Sequence, residues 1–529
     1  MIIVLALVLF CCLYVISIVL KNFRRSRYLP PGPSGWPLIG NLSDLPSHGK
    51  KDWEHWYKFK DAYGPISSIT TMGQVIIILN DAAVANEVME KHSMDTASRP
   101  LSVVLGDLTG WDRQVSFQPN IDIVRVERKS ILQALGSPKH IETYADQLNF
   151  EGKLFLLRLL EDPKRFVSHI RRQTGATILK IAYGYRVEPR GPDTLLDLSD
   201  LSAQQVIPAA SPGAWAVDTL PVLKYLPSCF PGAHVKRLAY VWKQTLDDLS
   251  EKPYSFVLRQ IDGGKHRGSY VSRHLDDLGH KPSPLEQRTI KWTAATMYAA
   301  GSDTTVITIH TFFLAMLQNP DVQHRAQMEI DKIVGRDRLP EPKDIENLPF
   351  VQALISEVLR WHPVAPTGIP HRATTDIACR DYIIPKGSIL VPNIWAFTQD
   401  PTVYKDPLSF NPSRFLCEET DDGIPHKTPE PNPRQYVFGF GRRVCPGRFL
   451  AEATFSLTIM QTLAAYKISK VVRDGKEVDI KADFLPGLLS HPVEFEAIIV
   501  PRYENVERIV RAVEADNPWA SGDSKELEL

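Results

Sequence analysis

The sequence predicts a mainly α-helical fold with a small β-region and a single N-terminal transmembrane helix. Three observations carry this. Residues 1–20 contain no charged side chain and are almost wholly apolar, about the length that spans a bilayer as a helix. A helical pattern with its cap in place runs unbroken from Ser283 to Asn319. By contrast, Tyr63 to Asn80 carries the β-branched runs and intervening turn of a hairpin.

In chain order, the apolar run is followed by the basic cluster Lys21, Arg24, Arg25 and Arg27. A cleaved signal peptide is the competing reading, but its charges would precede the apolar run, and no small-residue cleavage site is evident. Positive flanks stay on the cytoplasmic side, so the amino end is expected in the lumen and the rest of the chain in the cytosol. That reducing compartment predicts no disulfides. Pro30, Pro31 and Pro33 around Gly32 form a stiff segment that neither helix nor sheet interior accepts. Residues 21–36 therefore read as a basic stop-transfer segment and Pro-rich hinge. Residues 37–505 show no linker, repeat or composition break and read as one large domain. Residues 506–529 read as a short amphipathic, then acidic tail, expected to be mobile. Lys+Arg and Asp+Glu balance at 61 each, which leaves no global basic field, and no nucleic-acid partner is expected.

Within the body, Ile66 to Thr71 and Val75 to Leu79 flank the hairpin turn, and helices are expected over Ala82 to Lys91 and Val124 to Leu135. Leu201 to Ala233 is rich in proline and apolar residues, the composition of an exposed interaction patch. Asp262 to Ser283 is polar and reads as a solvent-exposed connection. Ser283 is then an N-cap, with Pro284 at the first helical position and Glu286 reaching back. Nothing stops this helix before Asn319-Pro320, so it spans about 35 residues, roughly 50 Å. Met297, Ala300, Gly301, Thr304 and Thr308 share one face of it. Small side chains mixed with hydroxyls make a poor core stripe, and Ala300 and Gly301 leave room for a flat cofactor. Further helices are expected over Asp321 to Val334 and Phe350 to His362, the second ended by Pro363. Glu357 and Arg360 stand three apart on the latter, a pair ordinarily worth about 0.2–0.5 kcal/mol.

The stretch Phe438 to Gly447, Phe-Gly-Phe-Gly-Arg-Arg-Val-Cys-Pro-Gly, presents one cysteine from a loop of glycine, arginine and proline. Gly439 and Gly441 permit backbone angles closed to other residues, and Arg442 and Arg443 are expected to favour the Cys445 thiolate. Six cysteines without CxxC pairs argue against zinc. Phe438, Gly441, Arg443, Cys445 and Gly447 match F-x-x-G-x-R-x-C-x-G, and this resembles the haem-binding signature of the cytochrome P-450 family. Three further motifs follow the resemblance. Ala300 to Thr305 is similar to the oxygen-activating A/G-G-x-D/E-T-T/S, Glu357 and Arg360 to E-x-x-R, and Asn411 to Phe415 to P-E-R-F, with Ser413 in place of the acid. The Pro-Pro-Gly-Pro hinge is similar to that of microsomal members.

The resemblance implies the cytochrome P-450 fold and haem b, with Cys445 thiolate as proximal ligand and metal site, Phe438 beside it, and the helix from Phe449 to Leu463 packed behind. It implies propionate contacts from Arg99, Arg128, Arg443 and either His371 or Arg372. In an extended strand the last two point to opposite faces, so only one reaches directly. Val124 stands where the family's W-x-x-x-R carries tryptophan, losing one N–H donor worth about 1 kcal/mol. Asp303 and Thr304 are implied as the residues that bring protons to dioxygen. An isolated mid-helix threonine would simply bond the carbonyl four residues back. Met297, Ala300, Val364, Ala365 and Leu485 are implied to line the substrate pocket, although Phe484 to Leu489 is equally consistent with a simple β-turn. Glu357, Arg360 and Arg414 are implied as a buried structural cluster.

The activity implied is a haem-thiolate monooxygenase that oxidises a lipophilic small molecule of secondary or xenobiotic metabolism with O2. No flavin or nicotinamide segment is evident, so electrons must come from a partner. The resemblance implies an NADPH–cytochrome P-450 reductase docking near Cys445, with Arg434, Arg442 and Arg448 as candidates to meet it. It also implies membrane lipid as a partner and a single-pass location in the endoplasmic reticulum membrane. A haem-thiolate isomerase or dehydratase, which the Asp303-Thr304 pair disfavours, and a non-catalytic haem sensor are the alternatives.

Overall fold

The computed structural model describes residues 28–47, 49–211, 213–227, 234–419, 425–516 and 521–527. The expected anchor at 1–20, the basic cluster at 21–27, and Phe230 and Pro231 lie outside the described residues. Among the described residues no helix is long and apolar enough to cross a membrane.

Helices dominate. Those used below are α1 (Asp52–Tyr63), α2 (Ile121–Leu135), α3 (Ala145–Glu161), α4 (Phe166–Tyr183), α5 (Thr194–Ala209), α6 (His234–Asp262), α7 (Tyr270–Leu278), α8 (Pro284–Gln318), α9 (Pro320–Ile333), α10 (Pro349–Trp361), α11 (Arg448–Ala465) and α12 (Asn505–Asp516). Helix α8 starts as its sequence dictates: Ser283 accepts from the Glu286 N–H, and the Glu286 carboxylate returns to Ser283 N at 2.8 Å. From Met297 to Leu317 it is buried on most of its circumference, the mark of a helix threading a core rather than coating one. Its closest neighbour is α4, and Gly301 sets that approach. A Cβ there would stand 2.8 Å from Ile178 Cγ1. Gly301 thus serves helix packing, beyond the room for a cofactor expected of it.

The largest part of the small β-region is a four-stranded sheet. Strands β1 (Ile66–Thr71) and β2 (Gln74–Leu79) form the expected hairpin, with Ile66 opposite Leu79. Strands β3 (His371–Arg372) and β4 (Ile389–Pro392) complete it in the order β1-β2-β4-β3. β2 and β4 run parallel, pairing Ile76 with Ile389 and Leu79 with Pro392.

Three stretches differ from their reading in sequence. The Pro-rich segment gains contacts that its sequence does not announce: Ser68 N donates to Pro31 O at 2.9 Å, and a Cβ on Gly32 would lie 1.8 Å from Ser68 O. The connection from Asp262 to Ser283 contains α7, capped by Ser269, whose buried Tyr270 donates to Thr293 at 2.7 Å. One apolar turn within a polar stretch is too little for a period to show. The expected mobile tail is also packed where it is described. α12 buries Val506, Val510 and Val513, and buried Asp523 takes a hydrogen bond from Arg267 Nη2 at 3.2 Å.

Candidate active site

Left-handed backbone angles at Gly439 (φ 81°) and Gly441 (φ 51°) fold the cysteine loop back on itself. A Cβ on Gly441 would fall 2.6 Å from Met89 O, so this position needs glycine twice over. The fold-back lets Cys445 N donate to Phe438 O at 2.7 Å, and α11 begins three residues later. Cys445 is half-buried and faces a cavity of about 300 Å3. Across this cavity lies the stripe of α8: Met297, Ala300, Gly301, Thr304 and Thr308 all reach its wall, as do Val364, Ala365 and Phe438.

Burial pushes the Cys445 thiol up, partly offset by the Gly447 N–H and by the positive charge of Arg128 and Arg448. This corrects the expectation for Arg442 and Arg443. Arg442 is exposed. Arg443 is turned to the cavity edge, donating from Nε to Ala97 O (2.5 Å), Nη1 to Val115 O (2.8 Å) and Nη2 to Gln118 O (2.5 Å). A bound metal cation would deprotonate a coordinating thiol outright.

Arg99 and Arg128 join Arg443 on the same edge. Arg99 donates to Ser116 O (2.9 Å), Ile369 O (2.6 Å) and Pro370 O (3.0 Å), and Arg128 to Val444 O (2.6 Å). Every one of these acceptors is a neutral carbonyl. Burial, then mutual repulsion, holds Arg99 well below the usual guanidinium range and Arg443 at about 10. His371 Nδ1 meets Thr96 O at 2.8 Å, so Nδ1 carries the proton and Nε2 is left for the cavity. Arg372 is on the opposite face of β3, near Gly387, and does not reach the cavity wall. Strand alternation required such a division, and the structure assigns the inward position to His371.

One other expectation is corrected. Leu485 is 47% exposed and off the cavity wall, where Leu489 stands instead. Val124 packs in the helical core rather than on the wall, while Arg128, one turn on, reaches it. Thr304 Oγ1 donates to Ala300 O at 2.8 Å, the ordinary bond of a helical threonine, while its side chain still borders the cavity. Asp303 is buried and turned off the wall, with Oδ2 3.0 Å from His491 Nε2.

Behind the cysteine loop Glu357 is fully buried and receives Arg360 Nε (2.7 Å) and Nη2 (2.8 Å), Arg414 Nε (3.2 Å) and Asn411 N (2.7 Å). Arg414 Nη1 also pairs with Glu430 at 2.6 Å, a partner with no pattern in the sequence to announce it. Of the arginines considered for docking, Arg434 is engaged with Glu452 (3.1 Å) and Ser356 (2.7 Å), Arg448 lies over the Phe449 ring at 4.7 Å, and Arg442 is exposed.

These features fit a haem. A thiol faces one side of an apolar space, small side chains and hydroxyls face the other, and buried guanidiniums without a carboxylate partner await anionic groups at one edge. The family described as Cytochrome P450 matches residues 30–499. The chain is 42% identical over 508 residues to cytochrome P450 monooxygenase ppsD of Aspergillus oryzae, covering 96% of this chain and 95% of that protein. It is 43% identical over 485 residues to cytochrome P450 monooxygenase 208 of Postia placenta, covering 92% of each. With O-methylsterigmatocystin oxidoreductase of Aspergillus flavus it shares 38% over 499 residues, 94% of this chain and 92% of that protein.

Proposed function

The chain belongs to the cytochrome P450 family and is a haem-thiolate monooxygenase, and on that premise we propose that Cys445 is the iron ligand, with Arg99, Arg128 and Arg443 donating to the propionates and His371 joining them from Nε2 only as the imidazolium, because its Nδ1 proton is given to Thr96 O. Haem, when bound, activates dioxygen and transfers one oxygen atom to substrate, helped by electron donation from the thiolate. The rest of the work belongs to side chains of this protein. Arg443 and Arg99 are fixed by their carbonyl partners before any ligand arrives, so a carboxylate meets donors that need no reordering. The loop's Phe438 and Leu450 at the start of α11 exclude water from the sulfur side. Thr304 can trade its bond to Ala300 O for a water in the cavity, and Asp303 supplies that water with protons.

The substrate proposed is a lipophilic small molecule of secondary metabolism. The wall at Met297, Ala300, Val364, Ala365 and Leu489 supports this by its apolar character, and one relative is named for acting on O-methylsterigmatocystin. Residues 1–20, uncharged and apolar, support a single-pass anchor in the endoplasmic reticulum membrane, with an NADPH–cytochrome P-450 reductase supplying electrons on the Cys445 side.

The observation that carries the reading is Cys445 and the Thr304 stripe facing each other across one cavity. The test is the carbon monoxide difference spectrum of the dithionite-reduced full chain beside Cys445→Ser. A red-shifted Soret band present in the first and absent in the second is expected. A folded, haem-loaded wild type without that band would overturn the assignment.

A further inference from the structure

Asp303 and Thr304 are adjacent in sequence, yet a helix turns about 100° per residue. The two side chains diverge: Thr304 borders the cavity, and Asp303 points away from it to His491. The His491 side chain is 15% exposed against 7% for Asp303, so the imidazole is the more solvent-facing of the pair. His491 comes from the segment after Phe484, beyond the residues that the helix motif covers.

Charged, imidazole and aromatic groups surround this pair. α8 adds His310, seven residues past Asp303 and on the same face, buried with neither ring nitrogen partnered. Its protonation is opposed first by burial and then by His491 and Arg171, which places all three in one neighbourhood. Arg171 of α4 pairs with Asp200 of α5 at 2.9 Å, with both side chains about a third exposed at 32% and 39%. Asp200 in turn feels the charge of Asp303. The His310 ring is stacked on Phe495 at 4.8 Å and meets Phe166 edge-on at 5.7 Å. The arrangement is a charged, partly solvent-exposed vestibule on the side of α8 turned away from the cavity wall.

We propose that His491 is a positioning residue that admits protons to the cavity through Asp303. The inference rests on the reading of Asp303 as proton donor to the cavity. A proton from bulk water joins His491 Nδ1, and the Nε2 proton passes to Asp303 Oδ2, leaving a neutral imidazole and a neutral carboxyl. The carboxyl, no longer held by charge, turns inward and gives its proton to the water beside Thr304. Solvent exchange at the two ring nitrogens then restores the starting tautomer. One proton enters from water and one is delivered inside; no electron moves.

The test uses the full, haem-loaded chain with NADPH–cytochrome P-450 reductase, and follows NADPH oxidation in H2O and D2O for wild type, His491→Gln, Asp303→Asn and the double variant. Glutamine keeps an N–H toward Asp303 but cannot relay a proton. His491→Gln is expected to slow oxidation by about a hundredfold, the low side of what a positioned proton donor contributes. Its solvent isotope effect should rise, and the double variant should be no slower than Asp303→Asn. Thermal midpoints of the four proteins give a readout independent of turnover, and non-additive losses are expected from a true pair. His491→Gln oxidising NADPH like wild type while Asp303→Asn is slow would overturn the relay and leave the site reading standing. So would slowing with an unchanged isotope effect, or additive midpoints. Wild-type rates in Asp303→Asn would overturn both.

Discussion

Arg360 and Arg414 behind the cysteine loop, and Arg99 and Arg443 at the cavity edge, are buried to within a few per cent of one another, yet their surroundings treat them oppositely. The first two share Glu357, and Arg414 has Glu430 besides. The second two, with Arg128, hold neutral carbonyls only. A buried charge normally demands a partner because desolvation costs several kcal/mol per ion. The cluster at Glu357 meets that demand within the chain and is complete. The cavity edge does not, and its excess positive charge is legible as a place for an anion that arrives from outside. Equal burial with unequal compensation separates structural arginines from ligand-binding ones.

The comparison breaks most visibly if the compensated cluster is disturbed. Glu357→Gln leaves Arg360 without a counter-charge and Arg414 with Glu430 alone, and is expected to cost about 3–5 kcal/mol, read by urea unfolding, with haem and fold lost together. Arg443→Leu should do the reverse, leaving a folded chain that holds haem less firmly. One charged hydrogen bond is worth about 1.5–3 kcal/mol, so haem transfer to apomyoglobin should speed up roughly ten- to hundredfold, while Arg372→Leu, off the cavity wall, should leave it unchanged. If Arg443→Leu instead unfolds the chain as Glu357→Gln does, the distinction fails.

The third prediction concerns Glu127, the acid nearest the uncompensated arginines. It is fully buried, with Oε2 unpartnered and Arg288 at 3.4 Å. Burial raises its carboxyl from 4.5 to about 7, against the pull of Arg288 and Arg443. The folded chain therefore binds the proton more tightly than the unfolded one. Stability should fall as pH rises through that interval and level off above it, by about 3 kcal/mol in all. Glu127→Gln should flatten this dependence, measured as unfolding free energy between pH 5 and pH 8.

What the sequence revealed depended on whether a fixed period or a fixed spacing carried the information. The stripe from Met297 to Thr308 needed only the helical repeat, and the cap at Ser283 with Pro320 beyond Asn319 set the bounds of α8. Strand alternation divided His371 from Arg372 without saying which faced inward. Leu485 and Leu489 lie in a turn with no period, so choosing between them required coordinates. His491 and Glu430 reach their partners across 188 and 16 residues from irregular segments. Nothing local in either stretch encodes such a meeting. Arg443 was placed at the edge by its motif, but its trio of carbonyl acceptors, which removes it from the thiol, is a property of the folded loop.

The parallel pairing of β2 with β4 sets a timetable for making this protein. Ile76 cannot find Ile389 until the intervening chain has been synthesised, which at about 5–20 residues per second takes roughly 16 to 60 s. For that interval the apolar run Ile76, Ile77, Ile78 and Leu79, already zipped to β1 on one side, shows an unsatisfied edge to the cell. Such an edge is a template for pairing with another chain. Yield in a foreign host should therefore respond to slower translation or added chaperone more than to any change in the cavity.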